Sequence, residues 1–156
     1  MNDLRTFAVL LSLIATVACH RKDEAAFAAL QTRGQTAMGV DQYTSSHRFE
    51  PLTEGGRIEL QRAVEDSLGV AQIRRHLRGI AVAFKAGRFD TPMFVHATSV
   101  PGTAIMSARR DAITYTYRDL PRGGEVRISS GDSVTIAAIH EFLAFQRMDH
   151  HAGMTN

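Results

Sequence analysis

The sequence predicts an α+β fold, a two-layer sandwich built from a duplicated ββα unit, with a four-stranded antiparallel sheet and two helices on one face. A hairpin motif occurs twice without a gap, 68 residues apart, as HRFEPLTEGG from His47 and YTYRDLPRGG from Tyr115. An alternating strand follows each Gly-Gly pair, and an Asp-Ser pair then opens a helical pattern. A repeated unit of this length buries its apolar face by packing on its twin.

The chain begins with a segment typical of an export signal, residues 1–18. The apolar run from Phe7 to Val17 is too short to span a bilayer, and it ends directly before Cys19. This pattern resembles a bacterial lipoprotein signal and predicts lipidation of Cys19, with the protein anchored to a membrane on the periplasmic side of the cell envelope. Thr16 stands where such signals usually have leucine, so plain secretion and a mis-assigned start with a cytoplasmic protein stay open.

Composition excludes several classes of protein. The formal net charge is +2 at pH 7, and acidic residues are interspersed among the basic ones, so no nucleic-acid groove is expected. With Cys19 used by the anchor, no thiol remains for a disulfide framework or a thiolate metal site.

The chain divides into a tether at 19–37, a duplicated domain at 38–151 and a tail at 150–156. The first repeat covers 47–86, a crossover 87–111 and the second repeat 112–149. Glycines at Gly34 and Gly39 break any helical period in the tether, although Ala25 to Gln31 has a helix-forming composition.

The strands alternate apolar and polar residues, so each is expected to have one inward and one outward face. His47, Phe49 and Pro51 point inward from the first strand, and Ile58 and Leu60 from the second. In the second repeat the inward residues are Ile113, Tyr115, Tyr117, Val126 and Ile128. A sheet of this kind is covered on one side only.

Two helices supply the cover. Asp66 or Ser67 is expected to cap the first, and its apolar positions recur at helical spacing at Val70, Ile73, Leu77, Ile80 and Phe84. Asp132 or Ser133 caps the second, whose core positions are Ile136, Ile139 and Leu143.

The second helix carries a further apolar stripe, Ala138, Phe142 and Phe145, which needs a partner. We expect the apolar segment 89–108 to cover it, with a short helix from Thr103 to Arg110. The alternative is a homodimer contact through Phe142 and Phe145.

Familiar catalytic signatures are absent from the sequence, so no catalytic residues are predicted. The string His140-Glu141-Phe142-Leu143-Ala144 begins like the zinc-protease helix motif, but alanine stands where its second histidine is required. Neither a Gly-rich phosphate loop nor a Gly-x-Ser-x-Gly elbow occurs.

Histidines and methionines suggest a metal or small-ligand site formed by His47, His96 and His140, with Met93 or Met38 as a soft ligand. Imidazole with thioether and no thiolate favours copper over zinc. The alternative is that these histidines are separate residues at sheet–helix boundaries and the methionines fill the core. His150 and His151 are expected to belong to a solvated tail.

The domain resembles a family of small exported bacterial proteins without an established function. The strings that carry the resemblance are MGVDQ from Met38, GGRIELQ from Gly55, IRRHL from Ile73, VPGT from Val100 and IHEFLAFQR from Ile139. Members are sometimes labelled aspartate carbamoyltransferase. The Ser-x-Arg-Thr string of that enzyme is absent here, and one small domain cannot supply its two-domain cleft, so this activity is not predicted.

The sequence therefore predicts an exported, lipid-anchored binding or interaction module of unknown ligand. A copper-binding or small-ligand-binding protein that uses histidine and methionine is the first alternative. An unrecognised enzyme is the second.

Overall fold

The computed structural model describes residues 24–150 and confirms the α+β class. The predicted signal peptide, Cys19 and the last residues of the tail lie outside this range. The elements in chain order are α1 (24–38), β1 (Ser45–Leu52), β2 (Gly55–Arg62), α2 (Ser67–Lys85), α3 (Asp90–His96), α4 (Thr103–Ala108), β3 (Ile113–Leu120), β4 (Gly123–Ser130) and α5 (Ser133–Asp149). Within the described range, no helix is both long and apolar enough to cross a membrane.

The four strands form one antiparallel sheet in the order β1-β2-β4-β3. At its centre Ile58 lies opposite Val126, with Gly56 opposite Ile128 on one side and Leu60 opposite Gly124 on the other. This register is symmetric about the central pair. It is compatible with an internal duplication, which itself stays a prediction.

Helices α2 and α5 pack on the sheet, and their caps are the predicted ones. The side chain of Asp66 accepts a hydrogen bond from Gly69 N, and that of Asp132 accepts one from Thr135 N. α2 lies mainly against β3 and β4, whereas α5 lies mainly against β1 and β2. Each helix therefore covers mainly the hairpin that does not precede it in the chain, and the apolar faces of both hairpins form one core.

The predicted core of α2 is buried at all five positions, Val70, Ile73, Leu77, Ile80 and Phe84. In α5, Ile139 and Leu143 are fully buried, but Ile136 is only half-buried. Gly56 is required where α5 approaches the sheet, because a Cβ there would lie 2.0 Å from Leu143 Cδ1.

The opposite face of the sheet is polar, as predicted, and ion pairs cover it. Glu125 is 2% exposed and is bonded by Arg118, whose Nε lies 2.9 Å from Glu125 Oε1. Arg57 Nη1 lies 3.5 Å from the other carboxylate oxygen. Arginine side chains thus enclose a carboxylate that no helix covers.

The prediction of a tether at 19–37 is wrong for the part of this range that the structure describes. α1 packs on the domain with Leu30 and Gln31 buried, and Arg33 Nε donates a hydrogen bond to Val95 O at 2.7 Å. Gly34 lies inside α1 and does not end the helix. It makes room for the Gln42 side chain, whose Oε1 would lie 3.1 Å from a Cβ at Gly34.

The crossover contains α4, close to its predicted bounds. It also contains α3, which was not predicted because Pro92 lies within it. Proline is tolerated in the first turn of a helix, where its missing N–H needs no partner, and Pro92 is the third residue of α3.

The crossover also covers the second stripe of α5, as expected. Phe142 is 1% exposed, its ring centroid lies 6.2 Å from that of Phe89, and Gly102 lies against the α5 backbone at Ala138. Phe145 packs edge-on against His96, with centroids 5.0 Å apart. Phe142 is enclosed by its own chain and offers no surface to a second copy of the protein. A homodimer contact stays a prediction.

Candidate functional site

An apolar cavity of about 70 Å³ lies between α2, α3, β1 and the last turn of α5, and four histidines line it. These are His47, His76, His96 and His150, and we call the cavity the histidine pocket. The rest of its wall is mostly aliphatic and aromatic, with Met38, Phe49, Ile58, Leu60, Leu77, Ile80, Phe84, Thr91, Pro92, Val95, Phe142 and Gln146. Few polar groups and a concave apolar wall are typical of small-ligand sites.

His47 reaches the pocket because it lies on the inward face of β1, opposite Leu60. Its Nε2 is buried and has no hydrogen-bond partner among residues 24–150. Burial, together with the nearby His76, lowers the pKa of His47 to about 4. At neutral pH this imidazole is therefore uncharged and has a ring nitrogen available to a ligand.

His76 enters from α2, three residues after the core position Ile73. Burial lowers the pKa of His76 to about 4, and an interaction with the Ala37 backbone opposes the shift. Two neutral imidazoles from different elements thus line one apolar cavity.

His96 ends α3 and is held from both sides by α5. Its Nδ1 bonds the Asp149 carboxylate, and its Nε2 lies 2.8 Å from Gln146 Oε1. The Gln146 side-chain nitrogen is buried without a partner in the described part of the chain. In either orientation of the amide, one of its polar atoms binds His96 and the other is left over in the pocket wall.

His150 closes the pocket. Its ring centroid lies 5.0 Å from that of His47 in a stacked arrangement and 5.5 Å from that of Phe49. Edge-on contact with His96 is also at 5.0 Å. The prediction of a solvated tail is therefore wrong for His150, while His151 lies outside the described residues. The signal was in the sequence, because Gln146 and His150 continue the α5 core spacing from Leu143.

Of the five residues proposed as ligands from the sequence, the structure brings three to the pocket, His47, His96 and Met38. His140 does not join them, because its Nε2 lies 2.9 Å from Leu52 O at the far end of β1. Met93 is 36% exposed on α3 and is not part of the pocket wall.

The position of His140 outside the pocket, where it was not expected, has a geometric cause. α5 runs antiparallel to β1, and the helix rises about 1.5 Å per residue, so only its last turns reach the His47 end of the strand. His76 and His150 stand there instead. Within residues 24–150 no three His, Cys, Asp or Glu side chains form a group that could hold a metal ion.

Comparison with known proteins gave no match to a family model, to a curated protein or to a solved structure. The resemblance to a family of small exported bacterial proteins therefore stays a prediction.

The low pKa values of His47 and His76 predict that metal-free protein loses stability as the pH falls. The unfolded chain takes up protons near pH 6.5, whereas the folded chain does so only near pH 4. The free energy of unfolding is therefore highest above pH 6.5 and decreases as the pH falls towards 4. At pH 5 the decrease is about 2 kcal/mol for each of the two histidines. Urea unfolding at pH 7.5 and 5.0 measures this difference, above the range where most carboxylates titrate.

The variant His76→Leu removes one titrating group, so its free energy of unfolding should depend less on pH. The variant His140→Leu, at a position outside the pocket, should keep the pH dependence of the wild type. Equal slopes for wild type and His76→Leu would contradict the assignment.

Proposed function

We propose that this protein is an exported, lipid-anchored binding module that holds a small ligand in the histidine pocket. One observation carries the proposal. His47 Nε2 and the Gln146 side-chain nitrogen are both buried without a partner in the described chain, and both residues line the same apolar cavity. Leaving a buried polar atom unpaired costs about 1–3 kcal/mol. A ligand with a matching group in the cavity would recover that free energy.

The size of the cavity limits the ligand. The pocket encloses about 70 Å³, roughly half of the 150 Å³ apolar cavity that accommodates benzene. Drug-sized ligands occupy about 300–1,000 Å³. Because the pocket is partly open, this volume limits the part of the ligand that is buried, which is an ion or a group of a few heavy atoms. The neutral imidazoles give it no fixed charge to pair with.

An access route adjoins the pocket. A solvent-facing cleft of about 500 Å³ between the end of α1 and α2 shares four wall residues with it, Met38, His76, Ile80 and Thr91. The pocket and the cleft therefore adjoin, and a small ligand has a short path inwards.

Binding is better supported than catalysis. The residues that line the histidine pocket include no serine or cysteine, and their one hydroxyl group belongs to Thr91. His96 Nε2 already bonds Gln146, and imidazoles with a pKa of about 4 are weak bases at neutral pH.

Xenon tests whether the pocket admits a small apolar probe. Under xenon pressure, the methyl NMR signals of Leu77, Ile80 and Val95 should shift in a saturable way. Thr91→Phe, which fills the shared wall, should abolish the shifts. Thr98→Phe, the same change at an exposed threonine of the crossover, should leave them intact. Shifts that are unsaturable, or equal in both variants, would contradict a binding pocket.

The anchor is tested separately. If Cys19 is lipidated, Cys19→Ser should leave unprocessed and unlipidated precursor, visible as a larger band that no longer incorporates labelled fatty acid. Wild-type protein that keeps Met1 and fractionates with the cytoplasm would refute export.

A further inference from the structure

We propose that the ligand of the histidine pocket is a Cu(I) ion, held by the imidazoles of His47 and His76 and the thioether of Met38. The inference rests on the proposed function, since it names the ligand of the same pocket. Its basis is that these three side chains, from β1, α2 and the end of α1, line one small cavity.

The donors are selected by their place in the pocket and by the partners that each ring nitrogen already has. His76 interacts with the Ala37 backbone through one ring nitrogen, which leaves the other for a ligand. His47 Nε2 is buried and has no partner among the described residues. His96 is excluded, because Asp149 occupies its Nδ1 and Gln146 its Nε2. His140 bonds Leu52 O outside the pocket. The ligand set is thus different from the one that the sequence suggested, with His76 in place of His96 and His140.

The chemistry of the wall favours a soft ion. Within the described chain, no carboxylate side chain and no thiolate lines the histidine pocket, so Ca²⁺ and Mg²⁺ find no oxygen cage. Structural zinc takes four ligands in a tetrahedron, and residues 24–150 offer no group of three His, Cys, Asp or Glu. Thioether and imidazole donors suit Cu(I), which accepts two or three ligands.

Size and access agree with an ion. The pocket is partly open, and its volume of about 70 Å³ can bury an ion whole but only a small part of most organic ligands. Met38 and His76 also line the outer cleft, so an ion that enters from solvent meets these two donors before it reaches His47. Arg75 is the charged side chain in the described wall of this cleft, and it is exposed, so solvent and salt screen its repulsion.

Competition against a chromophoric Cu(I) chelator, without oxygen, tests the site. Full-length chain carrying Cys19→Ser in detergent is the starting protein, so that no thiol competes for copper. One equivalent of Cu(I) should bind. His47→Ala and His76→Ala should each weaken binding by at least about 100-fold, the upper range for loss of a mere supporting contact. Met38→Leu should weaken it about tenfold or more.

His140→Ala is the matched control and should bind as the starting protein does, and His151→Ala should report any copper held by the tail. X-ray absorption should show nitrogen neighbours together with one sulfur. If the alanine variants fail to fold by circular dichroism, His47→Gln and His76→Gln replace them.

Binding that is unchanged in the His47 and His76 variants, or lost only in His151→Ala, would overturn the site and leave an adventitious ion only. If Cu(I) does not bind but xenon still enters the pocket, the copper inference fails and the binding module stands. If neither enters, both fail.

Discussion

The enclosure of imidazole rings in an apolar space determines the properties of this site. Polar groups removed from water are costly unless they are paired, and the cost here falls mainly on the charged form of each ring. His47 and His76 are therefore neutral at physiological pH, with pKa values of about 4. His47 keeps a buried ring nitrogen without a partner in the described chain. A neutral ring with an available nitrogen can bind a ligand but cannot attract an anion by charge.

The pocket is built from segments that are distant in the sequence. α5 covers β1 and β2, and α2 covers β3 and β4, so strand and helix donors from different parts of the chain meet at one end of the sheet. The last turn of α5 then closes this end, since Gln146 and Asp149 hold His96 while His150 stacks on His47. Removal of that turn would therefore open the pocket as well as release α3.

Local patterns made most of the fold predictable. Alternation assigned the inward face of each strand, and the caps Asp66 and Asp132 followed from their positions before apolar periods. The site was only partly predictable. His47 and His96 reach the pocket as expected, but His140 does not. Its position is set by the direction of α5 relative to β1. That direction is a tertiary property. The packing of α1 was missed since it depends on Leu30 and Gln31 meeting surfaces distant in sequence.

Long-range nitrogen-15 NMR of the histidine rings in metal-free protein tests most directly whether the pocket shields His47 and His76 from water. Spectra recorded from pH 8 to pH 4 report the charge of each ring separately. We expect His47 and His76 to stay neutral through pH 5.5 and to titrate only near pH 4, whereas the histidines of the urea-unfolded chain titrate near their ordinary pKa of about 6.5. Titration of both rings near pH 6.5 in the folded protein would show that they are open to water, and it would contradict the existence of an enclosed histidine pocket.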